Sequence, residues 1–400
     1  MSFFSDRWHA YPRYELYQLG VETGLYPYYK SVESASRPRL TVEGREVINF
    51  GSNNYLCLSY HPRVIEASIE ATRQFGTGVT GSRLLNGTLT LHRELEAELA
   101  DFYGAPACLV FSTGYVANAG SIAGFLGRHD VAIVDKEAHN SVLSGVRLSG
   151  AIMRRFRHND VDHLATVLER LPAEVGKGVI VDGVYSMSGD VAPLAAIVEV
   201  CRRVPNTFVL DDEAHGIGVL GARGRGALES QGVLSDVDLV TVTFSKSLGS
   251  CGGALLGPTD AIELLTVTAE TFIFTASNTP GSVAAALEAL RILREEPERP
   301  ARLRSNVEEF LALLTDRGVQ TNPAESAIVT IPLRRADEVS VATVFRDLFE
   351  AGVFVNPVIP PAVTEGAGLI RLSLMADHDS AMLEEAAESI YKVIADHDQQ

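Results

Sequence analysis

Between residues 105 and 257, six short runs that are apolar throughout alternate with segments whose apolar residues recur at three and four. The runs are ACLVF (107–111), DVAIV (130–134), GVIVDG (178–183), TFVLDD (207–212), LVTVTF (239–244) and GGALLG (252–257); the spacers include VDHLATVLERL (161–171) and LAAIVEVCRRV (194–204). A strand with one wet face alternates apolar with polar residues, so runs without alternation are strands covered on both faces. Separated by helices, they predict an α/β chain with a mostly parallel sheet. Such sheets bind ligands beyond the carboxyl ends of their strands. Polar residues gather at those ends: Ser112-Thr113-Gly114-Tyr115, Asp182 with Ser186, Asp212 with His215, and Thr243 to Lys246. Four strand ends are therefore expected to converge on one site.

Beyond a long helical stretch at about 283–314, the pattern changes to AIVTIPL (327–333), a helix around 341–351, GVFVNPV (352–358), LIRLSLM (369–375) and a closing helix 380–396. This reads as a smaller α+β unit. The expected division is an N-terminal arm with a short hairpin (1–58), a large domain (59–290) and a small C-terminal domain (291–400).

Several function classes are excluded early. With 34 Lys and Arg against 51 Asp and Glu, the net charge is −17, and phosphate backbones select for basic faces, so no nucleic-acid partner is expected. The four cysteines, Cys57, Cys108, Cys201 and Cys251, show no C-x-x-C spacing. Neither a metal site nor a disulfide framework is expected, and reduced thiols suit a cytoplasmic protein. Arg7, His9, Pro12 and Arg13 break the N-terminus, and no run approaches 18 apolar residues, so neither a signal peptide nor a transmembrane segment is expected. GTGVTG (76–81) follows a helical segment instead of a strand, which removes the dinucleotide reading. DEAH (212–215) resembles a helicase box, but no G-x-x-x-x-G-K-[ST] occurs, and neither Ser112 nor Ser186 lies in G-x-S-x-G.

Lys246 is the informative residue. A lysine at a strand end is ordinarily solvated, but one desolvated beside hydroxyls has a lowered pKa, and its free amine can bond an aldehyde. The aldehyde most often met this way is pyridoxal phosphate, whose ring nitrogen needs a carboxylate partner to stay protonated. Asp212 ends a neighbouring strand. The turn STGYVANAG (112–120) supplies a glycine and a helix start for a phosphate, Thr243 and Ser245 add hydroxyls, and His139 in EAHNS is a candidate to stack on the ring.

The segments NFGSNNYLCL, GTGVTGSRLLNGTLTLHRELE, FSTGYVAN, GVYSMSGDVAPL, DDEAHGIGVLGARGRG, TFSKSLGSCGG, FIFTAS and LIRLSLMADH together resemble the α-oxoamine synthases. These are fold-type-I pyridoxal-phosphate enzymes that condense an amino acid with an acyl thioester and release carbon dioxide. The resemblance covers nearly the whole chain and is strongest to the bacterial serine palmitoyltransferase branch, through TFSKSLGSCGG, FIFTAS and the prolines of VIPPA. 8-Amino-7-oxononanoate synthase and glycine C-acetyltransferase are the neighbouring branches. It implies a mostly parallel seven-stranded sheet and the following roles. Lys246 carries the cofactor and transfers protons, and Asp212 pairs with the ring nitrogen. His139 stacks, while His215 and Ser186 reach the phenolic oxygen. Ser112, Gly114, Tyr115, Thr243 and Ser245 belong to the phosphate cup. Thr275 and Ala276 are implied to reach the phosphate from a second subunit, which makes a homodimer with shared sites. Asn53, one of the doublet Asn53-Asn54, and Arg371 hold the amino-acid carboxylate. His215 is also implied to touch the acyl or the amino-acid carboxyl group when the intermediate forms.

The chain departs from the family pattern at Cys57 (glycine in relatives), Gly216 (serine), Asn278-Thr279-Pro280-Gly281, and Ile359, where serine palmitoyltransferases place an arginine. The donor, coenzyme A or a carrier protein, stays open. The rival readings are an aminotransferase, disfavoured by GTGVTGSR and LIRLSL, and a non-catalytic partner subunit, which would be expected to lack Lys246.

Overall fold

The computed structural model describes residues 2–398 apart from Pro12, Pro361, Thr364 and Glu365. Pro361, the second proline of VIPPA, thus lies outside the described residues.

The six apolar runs all become strands, and a seventh joins them. The sheet order is Ala107–Phe111, Gly253–Gly257, Leu239–Thr243, Thr207–Asp212, Lys177–Asp182, Val131–Asp135 and Ile152–Phe156. Only Gly253–Gly257 runs against its two neighbours; the other pairings are parallel. The strand without an apolar run, Ile152–Phe156 (IMRRF), is one of the sheet's two edges and pairs with Val131–Asp135. An edge strand with one open side tolerates Arg154 and Arg155, which is why its residues lack the signature of a buried strand.

Two sequence readings are corrected. The stretch 283–314 is two helices, Pro280–Glu295 and Glu298–Asp316. The break falls at Glu296-Pro297, because a proline disfavours helical backbone at the residue before it. GVFVNPV is not one strand. Val353–Phe354 adds in parallel to the hairpin Arg39–Val42/Arg45–Asn49, whereas Asn356–Val358 joins an antiparallel sheet with Leu369–Ser373 and Ile328–Pro332. The N-terminal hairpin and the C-terminal part therefore share a sheet. The 290/291 boundary falls inside helix Pro280–Glu295, which packs on helices Pro62–Phe75 and Thr90–Tyr103.

One continuous apolar cluster runs from the main sheet (Ile133, Val181, Val242) into the C-terminal sheet (Ile328, Ile370, Leu372). Phe50 stacks on Phe310 with ring centroids 5.1 Å apart, fastening the chain after the hairpin to that core. The C-terminal sheet is thereby fixed beside the carboxyl ends of the main strands, so that Arg371 reaches Ser186, 185 positions away. Among the described residues no helix is long and apolar enough to cross a membrane.

Candidate active site

Beyond the carboxyl ends of the main strands lies a cavity of about 270 Å³, lined by Gly114, Tyr115, Asn118, His139, Asp182, Ser186, Asp212, His215, Thr243, Ser245 and Lys246, among others. Strand alternation explains the choice of side chains. Asp212 faces the cavity while Asp211, one residue earlier, points to the opposite side of the sheet. Thr241 and Thr243, two apart, share a face.

At one end, helix Gly114–Phe125 starts with Thr113 as its cap, whose hydroxyl accepts from the Val116 N–H at 3.1 Å. Its first turn presents backbone donors toward the hydroxyls of Thr243 and Ser245, which are 3.0 Å apart. The packing leaves no room for side chains on this floor. A Cβ on Gly114 would come within 2.8 Å of Thr243 Cβ, and one on Gly253 within 2.5 Å of Gly114 Cα.

At the other end a polar network orients Asp212. Asn118 Nδ2 donates to Asp212 Oδ2 at 2.6 Å and to Ser141 Oγ at 3.0 Å, while Thr241 Oγ1 donates to Asn118 Oδ1 at 2.7 Å. The Ala214 N–H donates to Asp212 Oδ1 at 2.9 Å. His139 caps the helix Asn140–Ser149, and its Nδ1 bonds Ser141 Oγ at 2.7 Å, which leaves the ring at the cavity wall. Desolvation lowers the His139 pKa; Asp212 opposes this and Lys246 adds to it. Burial pushes the Asp182 carboxyl well up, with the Asp212 charge reinforcing it; its oxygens accept from the His139 N–H at 3.2 and 3.3 Å.

Two lysines lie near this sheet, Lys177 fully buried and Lys246 partly so, and they differ in kind. Lys177 starts its strand with Nζ donating to the carbonyls of Val175 (2.6 Å), Pro205 (3.2 Å) and Ala173 (3.4 Å). Lys246 Nζ has no hydrogen-bond or ion-pair partner among the described residues and faces the cavity. Burial lowers its pKa to about 8; Asp212 pulls the other way and Arg371 adds to the lowering.

Arg371 reaches in from strand Leu369–Ser373. Its Nε donates to the Ser186 carbonyl at 2.6 Å and Nη1 to Ser373 Oγ at 3.0 Å; Asn53 Oδ1 accepts from Nη1 at 3.3 Å and Nη2 at 3.2 Å. Asn53 joins Arg371, whereas Asn54 is buried against Ser36 and Ser59. His215, buried at the cavity wall, shares a 2.8 Å hydrogen bond between Nδ1 and the Tyr55 hydroxyl, and burial holds its pKa well below the usual imidazole value, helped by Lys246 and Arg371.

Most of the expected residues meet in this cavity; Asn53 and Arg371 do not line it and adjoin it through the bond from Arg371 Nε to the carbonyl of Ser186, which does. Ser112 does not line it; its carbonyl accepts from Asn278, and Thr113 takes its place on the wall. Thr275 and Ala276 lie elsewhere, in an outer segment tied to residues 81–82 by an isolated bridge and the Ser277 N–H. Sequence reasoning missed Asn118, Tyr55 and Thr241. Asn118 carried a signal: it is one helical turn after Gly114 in a stretch otherwise made of small and apolar residues, so it shares that glycine's face.

The sequence pattern of the family "Aminotransferase class I and II" matches residues 45–390. The chain belongs to that family. Among its relatives, a serine palmitoyltransferase from Bacteroides thetaiotaomicron is 41% identical over 95% of this chain and 96% of its own length. An 8-amino-7-oxononanoate synthase from Symbiobacterium thermophilum is 40% identical over 93% and 94%. A solved serine palmitoyltransferase from S. paucimobilis with bound PLP-myriocin superposes with a TM-score of 0.94 at 35% identity, covering 100% of both chains. The fold is that of fold-type-I pyridoxal-phosphate transferases, and the donor set fits that cofactor. A glycine floor with two hydroxyls at a helix start suits a phosphate, an oriented carboxylate suits a pyridine nitrogen, and an amine without a partner among the described residues suits an aldehyde.

Proposed function

We propose that this family member is a pyridoxal-phosphate-dependent α-oxoamine synthase, an acyltransferase that joins an α-amino acid to an acyl thioester. A carbon–carbon bond forms between Cα and the acyl carbon, the carbon–sulfur bond breaks to free the thiol, and the amino-acid carboxyl leaves as carbon dioxide, giving an α-aminoketone. The observation that carries the reading is the Lys246 amine, without a partner among the described residues, facing one cavity with Asp212 and His139, while the Arg371–Asn53 pair adjoins that cavity through the Ser186 carbonyl.

When bound, the protonated ring of pyridoxal phosphate withdraws electrons from the amino-acid Cα, so that the Cα proton can leave. In this reading Lys246 holds the cofactor and moves that proton, since a pKa near 8 leaves a substantial share of free amine at neutral to mildly alkaline pH. Asp212 keeps the ring nitrogen protonated, and the Asn118 network holds its carboxylate in place. His139 covers the ring, Ser186 and His215 reach its phenolic oxygen, and Gly114, Tyr115, Thr243 and Ser245, with Ser112 behind them, take the phosphate. Arg371 and Asn53 hold the substrate carboxylate, a planar anion that a guanidinium meets with two parallel hydrogen bonds. His215 touches the carboxyl of the joined product before it leaves.

Thr275 and Ala276 act in the other site of a homodimer. The exposure of Leu84 (54%), Leu85 (79%) and Phe274 (82%) around them supports a covering second copy. Cysteines 57, 108, 201 and 251 are unpaired, which suits the cytoplasm. Serine with a palmitoyl thioester is the first pair to test. 8-Amino-7-oxononanoate synthase activity is second, supported by the 40% identical relative of that name. Incubating the holoenzyme with each amino acid and coenzyme A thioester should release thiol only when both substrates are present; thiol release that ignores the amino acid would refute the reading.

A further inference from the structure

Away from the active site, a cavity of about 490 Å³ opens between the loop that follows His215 and the ends of two helices. Asp101 and Phe102 line it from helix Thr90–Tyr103, Leu293 and Arg294 from helix Pro280–Glu295, and Arg223 and Arg225 from the loop. It shares no lining residue with the active-site cavity. Three arginines against one aspartate leave an excess of two positive charges on its wall, in a chain whose net charge is −17.

The three guanidiniums are not equivalent. Arg294 is engaged, donating to Asp101 Oδ2 at 2.6 Å. The guanidiniums of Arg223 and Arg225 have neither a hydrogen bond nor an ion pair among the described residues. Arg223 is exposed and Arg225 half-buried. A solvated arginine needs no partner, but the Nε of Arg225 is closed to water and has no acceptor, and its Cζ lies 5.8 Å from the centre of the Phe102 ring. Packing therefore holds this head in place while its charge stays uncompensated at the cavity wall.

The loop behind these side chains is firmly built. One carboxylate, that of Glu229, accepts from the backbone N–H of Arg223 at 2.9 Å and of Arg225 at 3.1 Å. The Gly218 N–H donates to the Gly224 carbonyl at 2.7 Å, and Ile217 bridges to Arg225. Gly221, with φ +82°, makes room for the carboxylate, since a Cβ there would collide with Glu229 Oε2. Glu229 is thus engaged by the backbone and does not line the cavity. Both arginines are anchored at their roots, with no acceptor in the chain for their heads.

We propose that this cavity is a binding site for a phosphate group, separate from the active site. A phosphate dianion matches the excess of two charges, and its several oxygens can accept from two guanidinium forks at once, where a lone carboxylate satisfies one.

The test uses the holoenzyme, whose glycine floor at Gly114 the cofactor fills, and calorimetry at mildly alkaline pH, where phosphate is a dianion. Inorganic phosphate should bind the parent, and Arg223→Gln and Arg225→Gln should each weaken it at least tenfold, on the scale of a lost hydrogen bond between charged groups. Because Arg223 is exposed, its replacement leaves the packing intact, and the result does not depend on Arg225→Gln folding. Acetate at the same ionic strength should not displace the phosphate. Adenosine 5′-monophosphate and adenosine separate the two sources of the group. A nucleotide that binds more tightly than the free ion, with adenosine silent, assigns the site to a nucleotide; equal or weaker binding assigns it to the ion itself. Absence of phosphate binding, an affinity that Arg223→Gln leaves unchanged, or ready displacement by acetate would overturn the inference.

Discussion

Lys177 and Lys246 stand at opposite ends of strands of one sheet, and their partners separate them: three carbonyls satisfy the fully buried first, whereas the partly buried second has no partner among the described residues and faces a cavity. An amine whose pKa falls to about 8 is neutral over a window where an ordinary lysine is charged. Capture of pyridoxal phosphate by the cofactor-free protein should therefore rise through about pH 8, not near 10.5, and vanish in Lys246→Ala; stopped-flow absorbance across pH measures it, and a midpoint above 10 would refute the depressed amine. Arg371→Lys keeps the charge but loses the planar fork. It should weaken amino-acid binding by about 2–3 kcal/mol, on the scale of a lost charged hydrogen bond, read as a shift in the dissociation constant from the bound cofactor's spectrum. Lys246, Asp212, His139 and His215 were legible because each ends or follows an apolar run. Asn118 and Tyr55 were not, since one is inside a helix and the other inside a buried loop, where a polar residue reads as structure until its partner across the fold is known.

The main strands were legible as elements because burial on both faces leaves unbroken apolar runs. The edge strand Ile152–Phe156 was not, and its carboxyl end carries a device of its own. In the loop after it, His158 bonds Asp135 at 2.9 Å and Asp190 at 2.7 Å and packs edge-on to Tyr185 at 4.4 Å. Burial would lower its pKa, but the two carboxylates outweigh this and raise it to about 10. This clamp ties two strand ends to the loop that carries Ser186, whose carbonyl receives Arg371. A raised pKa stabilises the fold fully below the unfolded value of about 6.5, and the contribution disappears as pH climbs through about 10. His158→Gln should accordingly lower the denaturation midpoint most near pH 6, with the gap to the parent closing toward pH 10; a gap independent of pH would remove the charge from the explanation. In the phosphate floor, Gly114→Ala puts a methyl 2.8 Å from Thr243. Affinity for pyridoxal phosphate should drop at least tenfold while circular dichroism stays unchanged.

On the scale of the whole molecule, the main sheet lines the site cavity and the C-terminal sheet reaches its edge through Arg371 and the Ser186 carbonyl, but Thr275 and Ala276 stand apart from it beside exposed Leu84, Leu85 and Phe274. If each copy completes its neighbour's site, mixing inactive Lys246→Ala with an inactive Thr275 variant under exchange conditions should restore up to a quarter of the activity through hybrid dimers. A fully active monomer by light scattering would contradict shared sites. The order of elements told the architecture, while the sharing of a sheet between residues 45–49 and 353–354 was beyond it, because strand pairing across 300 residues leaves no local pattern. The central claim is a condensation that loses carbon dioxide. Holoenzyme given carboxyl-labelled serine and palmitoyl-coenzyme A tests it directly, with carbon dioxide and free thiol counted together. The account predicts equal amounts of each, released only when both substrates are present and absent in Lys246→Ala; thiol without carbon dioxide, or amino-group transfer to a keto acid in place of either, would contradict it.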